Sequence, residues 1–140
     1  AQDKVLIVGA ATGYSAAVLA RMVKAVVALE SDCGLAKSAR DTIKGLGLAN
    51  VEVVEGSLPA GHAPGAPYDV ILVEGALEAV PEALITQLAQ GGRLVAIEAA
   101  SGIGHAVLTT KTALAVSSRV AFEAGASLLP GFSKPKGFVF

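Results

Sequence analysis

The chain has 140 residues, of which 53% are hydrophobic and only 16% charged. A chain this apolar buries enough surface to offset the entropy cost of folding, which excludes disorder as its main state. The formal net charge of −1 excludes the basic field that nucleic-acid or anionic-membrane binding requires, and charged residues interrupt every apolar stretch before the ~18–20 residues of a membrane span. Cys33 is the single cysteine, and no Cys and His residues have the spacing of a zinc site. No signal peptide precedes Lys4, the first strand-like residue. We therefore expect one metal-free domain over residues 1–140 in the reducing cytoplasm.

The first part of the chain alternates strand-like and helix-like segments. Lys4–Val8 is an unbroken aliphatic run, which is typical of a parallel strand buried on both faces. The Ala-rich segment Ser15–Val23 follows and predicts a helix. In chain order, the further predictions are a strand at Ala25–Leu29, a helix at Gly34–Leu46, a strand at Val51–Val54, a surface loop at Leu58–Pro67, a strand at Tyr68–Val73, a helix at Val80–Gln90 and a strand at Arg93–Ile97. This alternation favours βαβ units and a parallel sheet.

The last part of the chain changes character. Two β-rich segments, Ala106–Thr112 and Ser117–Ala126, lie too close in sequence for a crossover helix between them. Strands joined so closely pair antiparallel. We therefore expect an α/β fold with a doubly wound, mostly parallel sheet that ends in an antiparallel pair at one edge.

The loop after the first predicted strand, Gly9–Tyr14, is the first candidate binding site. In an open α/β sheet, ligands bind beyond the carboxyl ends of the strands, where the strand order reverses. Gly9 and Gly13 allow a sharp turn and a close approach of the backbone to a ligand. Ala11 stands where the dinucleotide fingerprint has its middle glycine, so an NAD-binding dehydrogenase domain is disfavoured. A strand-to-helix turn without a ligand is the alternative.

Polar residues follow three other predicted strands. Glu30 ends the second strand, 21 residues after Gly9, near the ~20-residue spacing at which nucleotide-binding sheets place the acid that accepts the ribose hydroxyls. The alternative is a solvated acid, although Asp32 is the better candidate for a helix cap. Ser57 follows the third predicted strand, and Glu74 ends the fourth. Each lies at the carboxyl end of a strand and can contact a ligand there. The alternative for each is an ordinary turn or surface residue. No Ser/His/Asp arrangement is legible, and no catalytic residue is assigned.

Six segments occur in an order and spacing that few nucleotide-binding sheets share. They are VLIVGAATGYSAAVLA, VVALESD, LGLANVEVVEGSLPAG, APYDVILVEGA, VPEALITQLAQGGRLVAIE and the closing SSRVAFEAGASLLPGF. Their most specific parts are GYSAAVLA, APYD and QLAQGGRLV. With these segments the chain resembles the protein-L-isoaspartate O-methyltransferase family over nearly its whole length.

The resemblance implies a class I methyltransferase fold of about seven strands with an antiparallel last strand, and S-adenosylmethionine as the cofactor. Members of this family methylate the free α-carboxylate of an L-isoaspartyl residue, so the implied partner is a protein or peptide methyl acceptor, not a nucleic acid or a membrane. Gly9 and Gly13 match the family's cofactor loop, and Glu30 matches the acid that holds the ribose. The implied cofactor-binding residues are Gly9, Ala10, Ala11, Gly13, Tyr14, Glu30, Ser31, Ser57, Leu58 and Glu74.

Some features depart from the family's pattern. The family has an acid before the glycine loop where this chain has Ile7, a glycine in place of Ala11, and an aspartate beside the adenine in place of Ser57. Family members also carry a substrate-binding segment before the first strand, whereas here Ala1–Asp3 precede it, which suggests a fragment or a reduced form. These departures leave one alternative open, a degenerate non-catalytic relative that acts as a binding or structural module.

Overall fold

The computed structural model describes residues 2–99, 104–123 and 129–131 of the chain. Within these ranges the strands are β1 (Lys4–Val8), β2 (Ala25–Glu30), β3 (Val51–Glu55), β4 (Tyr68–Leu77), β5 (Leu88–Glu98), β6 (His105–Lys111) and β7 (Val116–Glu123). The α-helices are α1 (Tyr14–Ala20), α2 (Cys33–Gly45) and α3 (Glu82–Thr86). Two 3-10 turns, Leu58–Ala60 and Ala63–Gly65, lie between β3 and β4. None of the helices in these ranges is both long and apolar enough to cross a membrane.

The described strands form a seven-stranded sheet in the order β3-β2-β1-β4-β5-β6-β7. The strands from β3 to β5 are parallel neighbours, whereas β6 pairs antiparallel with β5, and β7 pairs antiparallel with β6. The predicted α/β class and the mostly parallel sheet with an antiparallel last strand are therefore confirmed. The strand order reverses at β1, because the chain builds outward to β3 and then returns to place β4 on the other side of β1. The carboxyl ends of β1 and β4 thus border the crevice where such sheets bind ligands.

Apolar layers cover both sides of the sheet next to this crevice. On one side, Ala16 and Ala20 of α1 and Ile43 of α2 pack with Val5 and Ala28 of the sheet. On the other side, α3 and the first 3-10 turn pack against β1, β2, β4 and β5. Burial on both sides explains why β1 and β2 are unbroken aliphatic runs in the sequence.

The largest difference from the sequence prediction lies between β4 and β5. The predicted helix Val80–Gln90 is wrong in extent, because α3 covers only Glu82–Thr86 and β5 already begins at Leu88. Gly91 and Gly92, just before the predicted strand Arg93–Ile97, therefore lie inside β5.

Long-range hydrogen bonds of Gln87 explain the early end of α3. Its buried side chain donates from Nε2 to the carbonyl oxygen of Ala60 (2.9 Å) and accepts at Oε1 from the backbone N–H of His62 (2.9 Å). Its own carbonyl oxygen accepts from the N–H of Tyr68 (2.9 Å). These three bonds fix Gln87 against the loop before β4, and a continued helix would break them.

The other predicted elements are found with shifts at their ends. The prediction for β1 matches the observed strand, and β4 extends past its predicted end to Leu77. The predicted helix Ser15–Val23 is observed as Tyr14–Ala20. The predicted last strand, Ser117–Ala126, begins at Val116, and its residues 124–126 lie outside the described ranges.

One face of the sheet is open at β5 to β7. Val70, Leu72 and Val95 lie on the same side as α1 and α2, as the register of β1, β4 and β5 shows, and Phe122 of β7 lies on that side too. Val95 is 38% and Phe122 64% exposed, so no described residue covers them fully. Val70 packs against the cluster under α1 and α2, so we call only Val95 and Phe122 the bare face. β5, β6 and β7 pair antiparallel, and antiparallel sheets commonly leave one face open to solvent.

Candidate functional site

The glycine loop, residues 9–13 between β1 and α1, turns back on itself at the crevice. Gly9 and Gly13 both have φ of +86°, and Ala11 between them has φ of +50°. These are left-handed conformations, which glycine adopts freely and residues with a Cβ adopt at a cost. The N–H of Gly9 donates to the carbonyl oxygen of Leu29 (2.9 Å), which ties the loop to the end of β2. The two glycines are therefore required by the turn itself.

Glu30, at the end of β2, organises this loop. Its side chain is 6% exposed. Oε1 accepts from the backbone N–H of Ala11 (2.8 Å), and Oε2 accepts from those of Ser31 (2.7 Å) and Asp32 (2.9 Å). Asp32 is the helix cap, as predicted, because its Oδ1 accepts from the N–H of Leu35 at the start of α2 (2.9 Å). A carboxylate oxygen can accept two hydrogen bonds, so Oε1 keeps one site for a further hydrogen-bond donor.

Glu74 lies on β4, next to the glycine loop. It follows Leu72 by two residues and thus faces the α1 side of the sheet, where its carboxylate is half-buried. Burial raises the pKa of the Glu74 carboxyl above its ordinary value, and the Ser15 hydroxyl opposes part of that rise. A Cβ built on Gly9 would lie 3.5 Å from the carbonyl oxygen of Glu74, which places the two residues side by side at the crevice.

The loop after β3 reaches the same edge of the sheet. The N–H of Gly56 donates to the carbonyl oxygen of Glu30 (3.0 Å), so Ser57 follows directly beside the end of β2. The Ser57 side chain is exposed and makes no capping hydrogen bond to the 3-10 turn. Leu58 is 1% exposed and packs in the core, so it can offer a ligand only its backbone.

Sequence reasoning missed Leu129, which packs over the crevice from the side of α3. A Cβ built on Gly9 would lie 3.3 Å from the Leu129 methyl carbons, and one built on Gly75 only 2.5 Å from its Cγ. The N–H of Leu129 donates to the carbonyl oxygen of Ala76 (2.8 Å). A glycine inside a strand often marks a close approach of another chain segment, so Gly75 was the available signal.

Ile7 does not reach the crevice. It is 0% exposed and packs between the sheet and α1, together with Ala10 and Ala16. An Ile7 side chain projecting into the crevice would have supported a blocked, non-catalytic relative, and the structure does not show it.

A separate cavity of about 450 Å³ lies outside the crevice, in the groove between α1 and α2. Tyr14, which is 76% exposed, belongs to this groove. The lining residues are Thr12, Tyr14, Ala17, Val18, Arg21, Thr42 and Leu46. The structure therefore brings the glycine loop, Glu30, Ser57 and Glu74 to one edge of the sheet, while Tyr14 faces outward and Ala10 is buried.

Replacing Ala11 by glycine is expected to raise the free energy of unfolding by about 0.5–1 kcal/mol, because relief of the left-handed strain exceeds the added entropy of the unfolded chain. Urea denaturation of both proteins measures the change. Ala10→Gly is the matched control. Ala10 is buried and lacks a positive φ, so this glycine should destabilise. Equal losses for both variants would contradict the assignment of strain to Ala11.

Comparisons with known proteins agree on one family. The family model described as protein-L-isoaspartate(D-aspartate) O-methyltransferase matches residues 1–117. The protein-L-isoaspartate O-methyltransferase of Methylorubrum populi is 53% identical over 93 residues, which are 66% of this chain and 43% of that protein. The one of Halorhodospira halophila is 39% identical over 128 residues, or 91% of this chain and 57% of that protein. The chain spans about two fifths of the length of several curated relatives that it matches.

Solved structures show the same likeness. A protein-L-isoaspartate O-methyltransferase superposes with a TM-score of 0.86 at 31% identity and covers 92% of this chain and 42% of that chain. A putative protein-L-isoaspartate O-methyltransferase from Plasmodium falciparum, in complex with S-adenosyl-L-homocysteine, superposes with a TM-score of 0.78. The two chains are 19% identical, and the superposition covers 91% of this chain and 65% of that chain. Because the identity is low, this structure shows the likeness of fold alone.

Proposed function

Because the chain belongs to the protein-L-isoaspartate O-methyltransferase family, we propose that it is an S-adenosylmethionine-dependent methyltransferase domain. Its proposed methyl acceptor is the free α-carboxylate of an L-isoaspartyl residue in a protein or peptide. The proposal treats residues 1–140 as one domain and places it in the cytoplasm. The observation that carries it is the bond from the Ala11 N–H to Glu30 (2.8 Å), which holds the glycine loop beside the crevice.

The residues around the crevice fit this cofactor. Glu30 keeps one acceptor site on Oε1 for a ribose hydroxyl, and Ser57 lies exposed beside it for the adenine side. The glycine loop lets its backbone come close to a ligand. We assign cofactor binding to Gly9, Ala10, Ala11, Gly13, Tyr14, Glu30, Ser31, Ser57, Leu58 and Glu74, with Ala10, Tyr14 and Leu58 contributing through their backbone.

In the proposed reaction, the chain mainly positions the two reactants and excludes water. S-adenosylmethionine supplies, when bound, a methyl group on a positively charged sulfur. The acceptor carboxylate is already ionised at neutral pH, since ordinary carboxyl pKa values are about 4, so no general base is needed. The crevice residues would hold the cofactor so that its methyl group is presented to the acceptor.

Isothermal titration with S-adenosylmethionine and with S-adenosylhomocysteine tests the cofactor. We expect saturable heat and a raised melting temperature with both, and no heat with NADH as the control dinucleotide. If millimolar S-adenosylmethionine produces neither heat nor a thermal shift, the proposal is wrong.

Transfer of a labelled methyl group tests the acceptor. We expect label in a peptide that contains one L-isoaspartyl residue and none in the same peptide with ordinary aspartate. Cofactor binding without any transfer would favour the alternative, a non-catalytic binding module.

A further inference from the structure

The groove between α1 and α2 presents large apolar side chains to the outside of the molecule. Tyr14 is 76%, Val18 46% and Leu46 49% exposed, and all three line the same cavity of about 450 Å³. Single apolar residues scattered over a surface are normal, whereas a contiguous group rimmed by polar residues marks a site of interaction. The groove therefore has the composition of a binding surface.

Helical spacing brings these side chains together. Tyr14, Val18 and Arg21 are four and three residues apart, so they lie on one face of α1 and its C-terminal end and form one wall of the groove. Thr42 and Leu46, four residues apart at the end of α2, form the facing wall. The apolar residues thus line a cleft between two helix faces and do not form a protruding surface.

Arg21 adds a positive charge to this lining. Its side chain is exposed, and within the ranges that the structure describes it makes no ion pair, since the pair found there joins Arg93 and Asp3. A guanidinium has five N–H donors and no acceptor, and it pairs with a carboxylate through two parallel hydrogen bonds. Arg21 therefore offers an acidic group a binding place directly beside apolar side chains.

The two helices also form the basic part of an otherwise acidic chain. Residues 14–46 contain five lysines and arginines and three acidic residues, whereas the rest of the chain contains six and nine. Of the three acids, Glu30 is buried and Asp32 accepts from the N–H of Leu35. Complementary charge steers a partner to a surface and disfavours partners of the wrong sign, so an acidic partner is favoured here.

We propose that this groove binds an acidic amphipathic helix of another protein. Its apolar face would pack on Tyr14, Val18 and Leu46, and a carboxylate at the edge of that face would pair with Arg21. A helix that lies in a groove uses apolar residues at i, i+3, i+4 and i+7, which reach into a cleft where a broad lipid surface does not. The groove lies outside the crevice, so this site does not depend on the proposed function.

Selection from a peptide display library tests the proposal. The peptides have about 18 residues, or five helical turns, with apolar residues at i, i+3, i+4 and i+7 and random residues elsewhere. We expect the chain to enrich peptides that carry aspartate or glutamate beside the apolar face. Fluorescence anisotropy then compares one enriched peptide with the same peptide carrying lysine in place of each acid. We expect the lysine peptide to bind at least about 10-fold more weakly, because it places like charges together.

Four variants locate the binding on the protein. Arg21→Glu should weaken the acidic peptide at least about 10-fold and strengthen the lysine peptide. Arg21→Lys keeps the charge, which also suits the C-terminal end of α1, and should lose less. Val18→Asp places a charge among the apolar side chains and should abolish binding of both peptides. Arg119→Glu, the matched control, reverses an exposed charge on β7 and should leave both affinities within about 2-fold. Thermal melting of each variant checks that it is folded.

Each other outcome overturns the proposal. The groove is not a site for an acidic helix if no peptide is enriched, if the enriched peptides lack an acidic bias, or if Arg21→Glu and Arg119→Glu lose binding equally. Peptide binding that Val18→Asp leaves unchanged would place the peptide elsewhere on the chain. Sedimentation identifies the remaining occupants: a wild-type dimer that Val18→Asp abolishes would make the occupant a second copy. Co-sedimentation with phosphatidylserine vesicles that Val18→Asp abolishes would make it a membrane.

Discussion

Replacing Glu30 by glutamine is expected to lower the free energy of unfolding by about 2–3 kcal/mol. The carboxylate accepts the N–H groups of Ala11, Ser31 and Asp32 with both oxygens. Glutamine has one acceptor oxygen, and its NH2 group would face at least one backbone N–H, donor against donor. Because Glu30 is only 6% exposed, water cannot fully replace the lost acceptor. Urea denaturation followed by circular dichroism measures the loss.

The matched control is Glu55→Gln on the neighbouring strand. Glu55 pairs with Glu30 in the register of β2 and β3 but is exposed, so its loss should stay within about 0.5 kcal/mol. Similar losses for the two variants would show that Glu30 is no more than a solvated acid at a strand end.

Replacing Gly13 by alanine is expected to cost about 2–5 kcal/mol through two effects that add. Gly13 has φ of +86°, where a Cβ costs roughly 1–2 kcal/mol. The new Cβ would also lie 3.2 Å from both the Cα and the Cβ of Ala39 in α2. Because one of these atoms belongs to a helix backbone, α1 and α2 must move apart, and such overpacking costs about 1–3 kcal/mol.

Gly47→Ala separates the two effects. Gly47 has φ of +66°, and nothing lies within 4 Å of the position its Cβ would take. It therefore reports the backbone term alone, about 1–2 kcal/mol, and the difference between the two variants measures the contact with Ala39. If Gly13→Ala costs no more than Gly47→Ala, the close packing of the loop against α2 contributes nothing to stability.

Strands β1 and β2 could be predicted because local sequence decides them. β1 and β2 are buried on both sides and show this as aliphatic runs, so their predicted ends agree with the structure to within one residue. The end of α3 could not be predicted in the same way. It is decided at Gln87, whose partners Ala60 and His62 are 27 and 25 residues away in the chain.

The candidate site shows the same division between local and long-range information. The spacing from Gly9 placed Glu30 at the right strand end, because each strand of such a sheet ends at the same edge. Its bond to Ala11 depends on how the loop folds back and has no mark in the sequence. The approach of Leu129 to Gly9 and Gly75 joins distant parts of the chain; Gly75 inside a strand marks a close approach but does not tell which residue makes it.

The bare face, left open by the described residues, is expected to favour association between copies of the chain. Apolar association weakens on cooling, so contacts between molecules through Val95 and Phe122 should fade in the cold and strengthen at room temperature. Both positions lie on β5 and β7, away from the crevice between β1 and β4. Polar residues introduced there are expected to weaken this association and to leave the glycine loop unchanged. Association between copies and the geometry of the glycine loop can thus be engineered independently in this chain.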